Sequence, residues 1–122
     1  MWTYSQTTGK LTSEDGSVRG FGYSGRGADL NNPAGEADVA QGPIPEGEWT
    51  IGPFFNNPGG KGPIVCHLTP IQGTNTFGRD GFMIHGDNSE ANHTASEGCI
   101  VLGRSLREAI ESSKDTVLLV TP

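Results

Sequence analysis

Two residues of this 122-residue chain carry side chains that can perform a reaction together, Cys99 and His85. A cysteine thiol has a free pKa of ~8.5 and becomes a substantial thiolate at neutral pH only beside a base or a positive charge, a task imidazole performs well. The pair points to nucleophilic acyl transfer. His85 would take the thiol proton, its other ring nitrogen held by a backbone carbonyl or another acceptor, while amides around Gly98 and Cys99 stabilise the tetrahedral oxyanion. On spacing alone, an ordinary loop cysteine near a surface histidine reads equally well.

The flanking residues explain how the pair is positioned. In the run Phe82-Met83-Ile84-His85 an extended backbone alternates faces, so Phe82 and Ile84 enter a core and His85 faces the other way, free for chemistry. Gly98 lets the chain turn sharply and removes a side chain that would block the sulfur, and Cys99-Ile100-Val101-Leu102 resumes a β-branched strand. The nucleophile is expected at a strand entrance, rigid and exposed. Cys66, in Ile64-Val65-Cys66-His67-Leu68, reads instead as a small apolar filler of a buried strand. Two cysteines in such different settings do not make a disulfide framework.

Nineteen glycines and eight prolines favour many short strands and turns, so the expected fold is mostly β: one compact sandwich or barrel over residues 1–122, with one short C-terminal helix. Trp2 to Thr7 and the residues around Leu11 suggest an opening hairpin, and Phe21 to Gly25 a short strand. Gly27 to Gly35 reads as a surface loop and Asn56 to Gly62 as a turn-rich connection. Glu48 to Ile51, Ile64 to Leu68 and Val117 to Val120 read as further strands. Ser105-Leu106-Arg107-Glu108 has capping-box spacing, with Leu106, Ala109 and Ile110 on one apolar face of a helix to about Ser113. A net charge of −6 with scattered Lys and Arg excludes a stripe that tracks a nucleic-acid backbone. With no apolar stretch of ~20 residues and no cleavable signal, neither a membrane span nor N-terminal export is expected. No metal and no cofactor is implied.

Ile84-His85-Gly86 followed by Ser96-Glu97-Gly98-Cys99-Ile100, with Pro43-Ile44-Pro45-Glu46-Gly47 upstream, resembles the YkuD-type L,D-transpeptidases. Tyr23-Ser24-Gly25, Asn31-Asn32-Pro33 and Gly42 to Gly47 bring the resemblance closer to the L,D-transpeptidase effectors of the bacterial type VI secretion system, over about residues 20 to 105. The chain departs from the broad family at Glu97, where that family has a second histidine, in a shorter loop from His85 to Ser96, and at Val101, near the nucleophile, where an asparagine or arginine is usual. The resemblance implies that Cys99 attacks the carbonyl before the terminal D-alanine of a tetrapeptide stem. His85 would be its base, and Gly98, Gly86 and Ser96 would support the site. Arg104 and Glu97 are candidate substrate contacts. It also implies delivery by the type VI machinery into the periplasm of a rival bacterium, with peptidoglycan as substrate and a periplasmic immunity protein as partner. The rivals are a cell-wall cysteine peptidase or amidase of the NlpC/P60 class, in which the cysteine usually precedes the histidine, and a non-catalytic wall-binding module. A metal module using His67, His85, His93 and Cys99 lacks close paired ligand spacing.

Overall fold

The computed structural model describes residues 1–58, 60–87, 96 and 98–122, so Glu97 and His93 lie outside the described residues. The aromatic-polar alternation at the start gives Trp2–Ser5 (β1), which pairs antiparallel with Lys10–Thr12 (β2) as the expected hairpin; Val18–Phe21 (β3) pairs with β2. Tyr23–Ser24 (β4) follows after Gly22 alone, and two 3-10 turns, Gly27–Asp29 and Pro33–Gly35, occupy the expected loop. Next come Gly47–Ile51 (β5), Phe55–Asn57 (β6), Gly62–Pro70 (β7), Met83–His85 (β8) and Ile100–Val101 (β9). The helix Arg104–Ser113 (α1) and Val117–Thr121 (β10) complete the order.

The strands lie side by side as β3-β2-β1-β10-β5-β7-β8-β9-β4, with β6 attached to β7. The two ends of that order, β3 and β4, are consecutive in the chain, so the sheet curls into a nearly closed barrel, the mostly β architecture expected. Gly22 is the seam. Its N–H donates to the Gly9 carbonyl at 2.8 Å, and a Cβ at this position would collide with the Val101 carbonyl of β9. Trp2, Tyr4, Leu11, Trp49, Ile84, Ile100, Ile110 and Leu118 anchor the enclosed core.

Three expectations change. Asn56 to Gly62 is not wholly a turn, since β6 sits there with an irregular register against β7, held partly by Phe55 stacking on His67 at 5.2 Å. An asparagine-rich strand carries no apolar alternation by which to find it. Ser105 does not cap the helix: α1 begins one residue earlier, Gly103 occupies the cap without a side-chain hydrogen bond, and the capping box does not form. The apolar face survives, with Ile110 in the core and Leu106 and Ala109 packed against it. Finally, His85 is left out of the core cluster that holds Phe82 and Ile84, as expected, but it is not left open: it is 1% exposed.

Gly22→Ala should cost about 2 kcal/mol or more in chemical denaturation, because the barrel seam has no room for the methyl group. An unchanged denaturation midpoint would mean that the seam is not tight.

Candidate active site

Strand register decides which side chains meet. β8 and β9 run parallel with Ile84 opposite Ile100, and Cys66 on β7 opposite Ile84; all three residues lie in the core. Alternation then turns the next positions away from the core: His85 stands opposite Val101, which stands opposite Tyr23 on β4. Cys99 precedes Ile100 and falls on this same outer face. Cys99, just before β9, is therefore a diagonal neighbour of His85 on β8, two residues ahead of its partner Val101.

Cys99 opens onto a cleft of about 300 Å³ lined by Lys61, Arg79, Asp80, Met83 and Gly98, with Val39 and Ala40 at one wall. Its Sγ lies 3.7 Å from the Gly81 carbonyl. The turn that presents it is built around the buried Ser96 hydroxyl, which donates to the Cys99 carbonyl at 2.6 Å and accepts from the amides of Gly25 at 2.9 Å and Gly98 at 3.2 Å. Gly98 has φ +129, and a Cβ there would collide with Arg79 Nη2. The glycine is thus required both by backbone angle and by the approach of a cation. Its amide, expected to serve the oxyanion, is committed to Ser96 in this structure.

His85 is held from its other side. Nδ1 lies 2.7 Å from the Gly86 carbonyl, which fixes the neutral tautomer with the proton on Nδ1 and leaves Nε2 as a buried acceptor without a partner. Burial pushes the imidazole below its ordinary value; Lys61 and Arg107 push the same way, while the Gly86 carbonyl and Asp87 oppose them. Asp87 is in turn anchored by the Tyr23 hydroxyl, which donates to it at 2.6 Å. A neutral imidazole with a bare Nε2 can accept a proton. No hydrogen bond joins Nε2 to Sγ among the described residues; such bonds often tighten only when substrate is bound.

The structure thus places Ser96, Gly98 and Cys99 at the N-terminal end of the β8–β9 pair, beside Met83, and His85 with Gly86 at its C-terminal end, where His85 does not line the cleft; Arg104 joins neither group. Arg104 is exposed on α1 and pairs with Glu108 at 3.6 Å, away from the cleft. Glu97 lies outside the described residues. Gly86, besides its carbonyl, leaves space for Arg107, which donates to the carbonyls of Leu102 at 3.0 Å and Ile64 at 3.1 Å and ties α1 to β7. Cys66 is fully buried, its thiol pushed up to about 12 by burial, and it forms no disulfide with Cys99. Among the described residues no group of three His, Cys, Asp or Glu side chains is arranged to hold a metal ion, and no helix is long and apolar enough to cross a membrane.

Sequence reading missed Arg79 and Lys61. Arg79 is 7% exposed; its Nη1 donates to the carbonyls of Glu36 and of Pro43, the latter at 2.9 Å, and Nη2 to Gly42 at 2.9 Å. A lone arginine in Phe77-Gly78-Arg79-Asp80-Gly81 has no periodic signal; only its place just before the Phe82 to His85 run could have drawn notice.

Among known proteins, the family model described as the Tlde1 domain matches residues 19–119, a span that contains the whole cleft together with His85 and Cys99. No curated protein and no solved structure gives a significant match.

Two outcomes follow from this geometry. Ser96→Ala should cost about 1–3 kcal/mol in denaturation, because two buried amides lose their acceptor, and should lower activity by more than stability alone explains. His85 has a folded value below its ordinary 6.5, so the unfolded chain takes up the proton first. Its contribution is fully present above about pH 6.5 and is lost as pH falls through the folded value. Denaturation midpoints measured between about pH 7 and pH 5 should fall in the native protein and fall less in His85→Asn.

Proposed function

The chain belongs to the Tlde1 domain family of type VI secretion L,D-transpeptidase effectors, and on that premise we propose that it is a cysteine-nucleophile enzyme that attacks the tetrapeptide stems of peptidoglycan. The supporting observation is that Cys99, at the entrance to β9, lies two residues ahead of Val101, the partner of His85 on the parallel strand β8, with a cleft open at the sulfur and an acceptor nitrogen on the imidazole. Cys99 attacks the carbonyl carbon of the bond between the L-configured centre and the terminal D-alanine. His85 Nε2 takes the thiol proton and returns it to the departing amine as the C–N bond breaks, leaving a thioester and free D-alanine. Water as acceptor then regenerates the thiol and a tripeptide. A free D-amino acid gives exchange, and the amine of another stem gives a cross-link.

The cleft suits this use. About 300 Å³ accommodates a leaving residue of alanine size and the atoms beside it, and Lys61 and Arg79 give one wall positive charge for a terminal carboxylate. Removal or exchange of D-alanine deprives a rival bacterium of the donor for its usual cross-links. On this reading the protein is made in the cytoplasm, carried by the type VI machinery, and active in the target's periplasm, where neighbours are protected by an immunity protein.

The test is incubation with purified stems of three, four and five residues, with and without a D-amino acid, read by product mass. Tetrapeptides should lose D-alanine or exchange it while pentapeptides are largely spared, and Cys99→Ala and His85→Ala should each lower the rate by about 10³-fold or more in folded protein. Release of an intact stem from the glycan would mean an amidase and would overturn the reading.

A further inference from the structure

We propose that Arg79 is the positioning residue that governs the ionisation of Cys99: its guanidinium, locked by backbone carbonyls beside the Gly98 turn, is the counter-charge of the sulfur anion, and His85 is not. The proposal rests on the reading of Cys99 as the nucleophile and adds a division of labour to it, with charge from Arg79 and proton movement by His85.

Three observations carry the inference. Arg79 and Cys99 line the same cleft, and the guanidinium presses so closely on the turn that Gly98 has no room for a Cβ. The acceptors that fix it, the carbonyls of Glu36, Gly42 and Pro43, are neutral, so they immobilise the cation without cancelling its charge. His85, by contrast, sits buried among groups that disfavour an imidazolium, with Lys61 and Arg107 both repelling a second charge there. A thiolate–imidazolium pair would have to form against that repulsion.

The other charges near the sulfur do not remove the asymmetry. Lys61 and Asp80, of opposite sign, both line the cleft, and of the charges acting on Arg79 the sulfur of Cys99 stands second, after Asp38 and ahead of Glu36 and Asp29, burial being the main influence on it. Arg79 itself feels the negative charge of Cys99, the reciprocal of the effect proposed. An opposite charge within about 4–6 Å moves an ionisation equilibrium by roughly one to three pH units.

The measurement is the pH dependence of Cys99 alkylation by iodoacetamide in the full chain, read by mass on the Cys99 peptide from about pH 5 to pH 10. Each event forms an S–C bond, expels iodide and releases the thiol proton to buffer; buried Cys66 serves as the internal control. In Arg79→Met the midpoint should rise by at least about one unit, a tenfold loss of reactivity near neutrality, and Arg79→Lys should recover part of it. His85→Asn should keep the native midpoint. A merely structural role for Arg79 would leave the midpoint of a folded Arg79→Met protein where it was, and that result overturns the proposal. Should Arg79→Met fail to fold, the His85→Asn arm decides: an unmoved midpoint upholds the proposal, and an upward shift of about one unit or more refutes it. No stem peptide enters the assay, so failure of the peptidoglycan reading shows separately, as intact stems in the presence of a reactive thiol.

Discussion

A guanidinium out of water must keep its donors supplied, and that requirement organises the end of the barrel where the reactive thiol stands. Arg79 draws the carbonyls of Glu36, Gly42 and Pro43 inward, which fixes the far end of the long connection between β4 and β5. Its planar face lies 5.2 Å from the Phe82 ring, and Phe82 meets Trp49 edge-on at 4.9 Å. A continuous contact path therefore runs from the centre of the core through an aromatic ring to a cation and then to the Gly98 turn. The core sets the position of the charge, and the charge sets what the turn may contain.

The turn is economical in a related sense. One buried hydroxyl, Ser96, satisfies two amides and a carbonyl, joining the Gly98-Cys99 turn to Gly25 at the end of β4. Glu36 acts similarly on the other flank, where a single carboxylate oxygen accepts from Gln6 Nε2 at 3.1 Å and from the Glu46 amide at 2.9 Å. Polar groups that serve several elements at once make a site precise, because no element can shift without leaving a buried donor unmet.

Local pattern was a good guide to this molecule where period and composition speak for themselves. Alternation in Phe82 to His85 identified the strand and the face of His85 correctly, and the β-branched runs at Ile64 and Val117 gave true strands. What alternation could not convey was coverage. A residue outside the core cluster can still be enclosed, as His85 is, because alternation reports the face of a strand and not what packs over it. Arg79 was illegible for a different reason: its partners are backbone carbonyls more than thirty residues upstream, and carbonyls leave no signature in a sequence. The helix start failed at Ser105 because Gly103 already supplies the extended entry. The cysteines, distinguished only by neighbours, were sorted correctly into one enclosed in the core and one beside a cleft.

The pairing of β1 with β10 reaches further than the barrel's shape. Trp2 stands opposite Leu118 and Ser5 opposite Thr121 in a parallel ladder, so β1, third in the sheet order, has one of its two partners more than a hundred residues away. Contacts of such sequence separation demand the loop-closure entropy of nearly the whole chain before they return anything, which makes for slow folding of high contact order. On the ribosome the core cannot close until Thr121 has emerged, because Trp2 and Tyr4 have no β10 to lie against. The same ladder is a single line of weakness. Peeling β10 from β1 and β5 would strip Leu118 and Val120 from the core and part the two strands that carry Trp2, Tyr4 and Trp49.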